Sequence, residues 1–359
     1  MNALKTIGWG LYLASSWTWC IGMFLPIILL ERYGWQGFFM FAIPNVIGCA
    51  AFGYVLKTPE RSKDLVAKYG FLMGLFSIAT IAFHALFIVI MLNIHDFDSY
   101  ARYVVYGILF CLFISVFFSK RIWMVLGSAC WITSLCLGLS LLPTELHVEA
   151  SRPWQDVLYL LPITTFGFLL CPYLDPTFHR ALQESPSRHC FGVFGITFAV
   201  MIGITCAYSE TVLLVLPLAL AIHLLIQATF SIIAHQYEGA LAWKSSRAFP
   251  LALLVGVSIA MLIAAQNQSD IQSHLNDYLR FFVFYGLIFP GLVVIFMWTG
   301  KAMNWLRISL FGLVALCSLP LLESAYIGEI PWLAIFPVAI LLSWAFVEKI
   351  VLQVSASKS

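Results

Sequence analysis

Twelve apolar runs, each close to the length a helix needs to cross a bilayer, follow one another along this 359-residue chain. A spanning helix takes about 20 predominantly apolar residues. The runs cover roughly 8–30, 37–56, 69–93, 101–119, 121–142, 156–176, 189–207, 210–235, 247–265, 278–298, 304–321 and 330–352. Only Ser119, Lys120 and Arg121 separate the fourth from the fifth. Composition agrees: 62% of residues are hydrophobic and 10% charged, against about 25% charged in a soluble domain. The chain therefore reads as all-α and polytopic, with lipid as its main solvent. Connections of about a dozen residues at most leave no room for a separate soluble domain, so 1–359 reads as a single integral membrane domain.

Charge orders the runs. With twelve spans, one side of the membrane receives fifteen of the nineteen basic residues, including Lys57, Arg61, Lys63, Lys68, Arg180, Lys301 and Lys349. The other side keeps Arg32, Arg102, Arg152 and Arg280, with eleven of the seventeen acids. Basic loops resist translocation, so both termini are expected on the cytoplasmic side of a cell (inner) membrane. Trp9, Trp35, Trp123, Trp154, Trp243, Trp298, Trp305 and Trp332 lie near run ends, where an amphipathic ring is favoured. Trp17, Trp19 and Trp131 lie deeper. A net charge of +2 gives no footprint for nucleic acid. Nine cysteines without a CxxC pair read as buried thiols. The N-terminus MNALKT lacks an AxA-like cleavage site and is not expected to be a removable signal.

Two runs carry helix breakers. The first, GWGLYLASSWTWCIGMFLP, places Ser15, Ser16 and Thr18 between tryptophans near its centre, followed by Gly22 and Pro26. The sixth holds Pro162, Thr164, Thr165, Gly167, Pro172 and Pro176. Each internal proline deletes a backbone hydrogen bond. In a membrane, unwound backbone is tolerated only where protein or a wet cavity surrounds it. The runs enter from opposite sides, and interruptions at corresponding places in two inverted halves point to a transporter with a midplane site. Prolines and glycines common to all membrane helices are the plainer explanation.

A resemblance bears on this choice. The stretch FGFLLCPYLDPTFHRALQESPSRHCFGVFG is similar to the sixth-helix region of the sodium:solute symporter family, with Tyr173, Asp175, Arg180, Ala181 and Ser185 in comparable places. LASSWTWCIGMF resembles that family's first core helix, and ATFSIIAHQYEG, Ala228–Gly239, the end of its eighth. The resemblance implies a LeuT-like core of two inverted five-helix repeats, 1–142 and 156–298, followed by two additional helices at 304–352. It also implies sodium-driven symport of small solutes by alternating access. The family's paired sodium-binding hydroxyls fall on Leu220 and Ala221, which have none, and a common polar substrate contact falls on Trp19.

Few polar groups lie at membrane depth, and each is a candidate. Ser15, Ser16, Thr18, Trp19, Thr164, Thr165 and Tyr173 are expected to line a substrate cavity. His223, Gln227, Ser231 and His235 recur every four residues and share one helical stripe. That stripe is either an interhelical seam or an ion or proton path, with His223, Gln227 and Ser231 as coupling residues. Asp175, within reach of Arg180, is either a gate or a helix-end anchor. Ser77, Thr80 and His84 read as structural. Asn45, after Pro44, is expected to bond a freed carbonyl or a neighbouring helix. His179, His189 and Asp175 lack metal-site spacing. No phosphate loop, GxSxG or HExxH is present, so neither enzymatic chemistry nor a cofactor is expected. The expected partners are the lipid bilayer and a small solute, with Na+ or H+ as coupling ion. The alternative is a non-transporting domain of the same build, acting as a sensor or partner subunit.

Overall fold

The computed structural model describes residues 2–94, 107, 110, 122–141, 152–205, 217–243, 248–266 and 271–356. Apart from 107 and 110, the expected fourth span at 101–119 lies outside these residues, as do its Lys120/Arg121 boundary and the start of the expected eighth span. Within them, all regular structure is helical. The helices are α1 (Asn2–Trp17), α2 (Cys20–Leu56), α3 (Pro59–Ile94), α4 (Ile122–Leu139), α5 (Trp154–Leu170), α6 (Pro176–Glu184), α7 (Cys190–Thr205), α8 (Leu218–Trp243), α9 (Ala248–Gln266) and α10 (Ile271–Phe281). After a single helical turn, Phe289–Leu292, two longer helices follow, α11 (Trp305–Tyr326) and α12 (Ile335–Ala356). Among the described residues, nine helical runs are long and apolar enough to span a bilayer. The protein is a multi-pass helical membrane protein.

The breakers act where they stand. The first run splits at Thr18 and Trp19, between α1 and α2. Gly34 adopts φ 66°, open to glycine at little cost, and turns α2 back on itself. This separates the expected first and second spans. In α3, Tyr69 leaves helical geometry (φ −119°, ψ 16°) and sets the basic segment 59–68 off from the expected third span. The sixth run passes from α5 through a 3-10 turn, Cys171–Tyr173, into α6. The tenth run contains two π-helical stretches, Phe284–Ile288 and Val293–Trp298.

The eighth helix corrects the sequence expectation: α8 extends past residue 235 to Trp243. Glu238 is neutralised by Arg180, and Gly239 lies against Ser77 of α3, so the polar residues continue the helix. Close packing of α3 on α8 depends on small residues. A methyl group on Gly70 would fall on the carbonyl oxygen of Ala242. Gly70→Ala is therefore expected to cost about 1–3 kcal/mol, typical of overpacking, read as a lowered unfolding midpoint in detergent.

The interior is aromatic and central, and α1 packs on α4 and α7, α2 on α5 and α7, and α3 on α8 and α9. By contrast, α9, α11 and α12 expose Leu251, Leu254, Leu262, Leu313, Leu316, Val347 and Ile350. These are faces suited to acyl chains. Between α5 and α12, Arg152 donates to Glu329, and that bond holds the Glu329 carboxyl below its ordinary range.

Candidate functional site

Breaking α1 from α2 frees the carbonyls of Ser15 and Ser16, whose helical donors would be the amides of Trp19 and Cys20. Side chains replace those donors. Ser231 Oγ donates to the Ser15 carbonyl at 3.4 Å, and Trp19 Nε1 donates to the Ser16 carbonyl. The sixth run follows the same logic. Pro172 removes the donor for the Phe168 carbonyl, and the Cys49 thiol takes its place at 3.4 Å. Pro44 does likewise to Met40, whose carbonyl accepts from Thr164 Oγ1 at 3.4 Å. From the sequence, such atoms are expected to be satisfied by a pocket. The protein instead satisfies these with its own side chains.

The two breaks meet. Ser16 Oγ lies 3.1 Å from Thr177 Oγ1. Thr177 donates its amide and its hydroxyl to Asp175 Oδ1, both at 2.7 Å, so Asp175 caps α6. The other oxygen, Asp175 Oδ2, faces His235 Nε2 at 3.9 Å, beyond hydrogen-bond length. Both side chains are wholly buried, and neither of these two atoms has a hydrogen bond. His235 Nδ1 is 3.3 Å from Ser77 Oγ. Trp19 fills the junction, its ring against Trp17, Phe76, His235 and Tyr285 at centroid distances of 4.2–5.4 Å. Tyr285, on the first π stretch, donates to Thr80 Oγ1 at 3.0 Å, and the Thr80 carbonyl meets His84 Nδ1 at 2.7 Å.

The expected residues therefore divide. Ser16, Trp19 and Asp175 come together at the junction. Ser15 Oγ donates to the Gly127 carbonyl of α4 at 2.8 Å, and Thr18 Oγ1 to Ala14 one turn back at 2.6 Å. Thr164 is occupied by Met40, while Thr165 and Tyr173 line a membrane-facing groove. Gln227 Nε2 donates to Ser134 of α4 at 2.8 Å, and His223 is buried on the same stripe. Asn45 accepts from Trp17 Nε1 at 2.8 Å, the neighbouring-helix role expected of it. Asn45→Leu, which strands a buried indole N–H, is expected to cost about 1–3 kcal/mol, measured by thermal unfolding.

One expected pairing is corrected. Arg180 does not reach Asp175. It forks onto Glu238 of α8 at 2.9–3.0 Å and touches Glu184 at 3.2 Å. Asp175 is turned onto the amides that begin α6, and Arg180 leaves that helix toward α8. His235 is the junction residue that the stripe contained but the coupling set omitted. Its four-residue spacing was visible; its approach to Asp175 depends on how α6 and α8 pack.

No family profile matches the chain and no curated protein matches it in sequence. The symporter resemblance rests on its three short stretches. Two solved structures align along the length: crystal structures of a manganese transporter of Eremococcus coleocola. One is in complex with an aromatic bis-isothiourea substituted compound and the other is a mutant of the same transporter. Each is 14% identical, covers 97% of this chain and 93% of its own, and has a TM-score of 0.45. A likeness of that strength carries no argument about this protein.

Proposed function

We propose that the protein is a secondary active transporter that moves a small solute across the cell membrane by alternating access, coupled to protons. The observation that carries this reading is the junction of the two breaks: α1 ends and α6 begins at one Ser16–Thr177 contact, beside a buried carboxyl that faces an imidazole. Buried ionisable groups in a membrane are costly and mark ion paths. Asp175 and His235 would exchange a proton once the 3.9 Å between them closes to hydrogen-bond length, with no need of sodium, whose expected hydroxyl ligands fall on Leu220 and Ala221. Packing supports the two-repeat division. The first segment packs on the fifth and the seventh, and the sixth on the tenth and the second, a reciprocal pattern that agrees with inverted halves 1–142 and 156–298. Ser16 and Trp19 would contact the solute, and the aromatic walls favour a compact, partly apolar or amino-bearing one. Arg180 and Glu238 would hold the cytoplasmic side closed.

The non-transporting reading, as sensor or partner subunit, draws on one observation: Trp19 is 3% exposed and fills the junction. A screen of small metabolites by thermal shift, with and without sodium and across pH, separates the two. The transporter reading expects a stabilising solute whose effect varies with pH, is indifferent to sodium and is weakened by Ser16→Ala. In proteoliposomes, Asp175→Asn keeps the helix cap but cannot exchange the proton. It is expected to cut accumulation driven by a pH gradient by about 5–150-fold, the usual range of coupling between two sites. Unchanged proton-driven accumulation in this variant would remove Asp175 from the mechanism. A screen with no stabilising solute at any pH would favour the sensor.

A further inference from the structure

The membrane-facing side of the broken sixth segment carries a groove of about 840 Å3, between α5, the second π stretch and α12. Leu161, Phe166, Val294, Leu342 and Phe346 form its walls, and Thr165 and Tyr173 add the polar atoms. The volume falls in the range of ligand sites, roughly 300–1,000 Å3. A slot this apolar on a bilayer-facing surface accepts hydrocarbon.

Charge gathers at one end. Trp298 closes the groove there, and Lys349 Nζ lies 5.6 Å from the centre of its ring. Lys301 lies three residues beyond Trp298. The neighbouring Arg307 is held by both carboxylate oxygens of Glu348. Among the described residues, neither Lys301 nor Lys349 has a salt bridge. Both belong to the basic, cytoplasmic side of the sequence. A tryptophan at interface depth beside two lysines is the arrangement that meets an anionic headgroup.

We propose that the groove is a binding site for an anionic phospholipid, with an acyl chain along α5 and the phosphate beside Lys301 and Lys349. Charge complementarity selects this occupant: a zwitterionic lipid satisfies the slot but not the two lysines. Tyr173 belongs both to the groove and to the 3-10 turn of the sixth break. The bound lipid therefore braces the segment that alternating access would have to move. The site itself stands whether or not the protein transports.

The test uses the delipidated full chain in neutral detergent. It is titrated with phosphatidylglycerol or phosphatidylcholine of matched chains, with inorganic phosphate as a headgroup-only arm, and read by thermal shift. Phosphatidylglycerol is expected to act at a concentration on the order of tenfold lower, given two lysines at a membrane surface. The pair Lys301→Gln and Lys349→Gln should abolish that preference and leave the phosphatidylcholine response unchanged. Leu342→Trp, which fills the slot, should weaken both lipids. Equal potency of the two lipids overturns the proposal, as does a preference that survives loss of both lysines. A shift reproduced by phosphate alone points to a free-anion site and also overturns it. A dimer in native mass spectrometry that Leu342→Trp dissolves assigns the face to a second copy, with the same consequence. If Leu342→Trp fails to fold, the lysine pair still decides.

Discussion

Arg180→Ala is expected to destabilise the protein by about 3–5 kcal/mol, the cost of leaving one member of a buried ion pair without the other. The Glu238 side chain is 4% exposed and that of Arg180 13%, and three hydrogen bonds of 2.9–3.0 Å join them. The pair ties α6 to α8 next to the junction. Removing the arginine leaves a carboxylate in a site that water scarcely reaches. The double substitution Arg180→Met with Glu238→Gln removes both charges and should recover most of the loss, because desolvation of the pair offsets much of its attraction. Unfolding midpoints of the two single variants and the double variant complete the cycle. If Arg180→Ala unfolds at the wild-type temperature, Glu238 has found water or another cation, and the buried pair is not what joins α6 to α8.

The second large effect concerns Trp19. Trp19→Ala is expected to cost about 3–5 kcal/mol, the range for truncating a large buried aromatic. The ring occupies the space between the two breaks, and its indole N–H serves the Ser16 carbonyl. The substitution therefore creates a cavity and returns a freed carbonyl to the junction at once. Trp19→Phe keeps most of the volume and loses the donor, so it should cost about 1–3 kcal/mol, the price of one unmet buried polar group. The order of the three midpoints tests whether side chains carry the backbone of the first break. Equal midpoints for wild type and Trp19→Phe would mean that the Ser16 carbonyl has another donor.

Much of the architecture was legible in one dimension. Apolar run length placed most of the helices, because lipid imposes that rule residue by residue. The breaks were legible too: Pro172 and Pro176 cannot donate, and the Ser15–Thr18 hydroxyls with Gly22 weaken the ladder around them. Even the helical stripe from His223 to His235 followed from spacing alone.

Contacts between segments were not legible. That Asp175 faces His235 and not Arg180, that Thr164 serves Met40, and that Trp19 fills the junction all depend on residues distant in sequence, 124 positions in the case of Thr164 and Met40, meeting across packed helices. Local propensity assigns a residue to a helix and to a face. It does not determine which neighbour that face meets, because the choice is made by packing and by the need of each freed carbonyl for a donor. The amino-acid order determined where the main chain would lose its own hydrogen bonds. Only the tertiary structure decided which side chains would restore them.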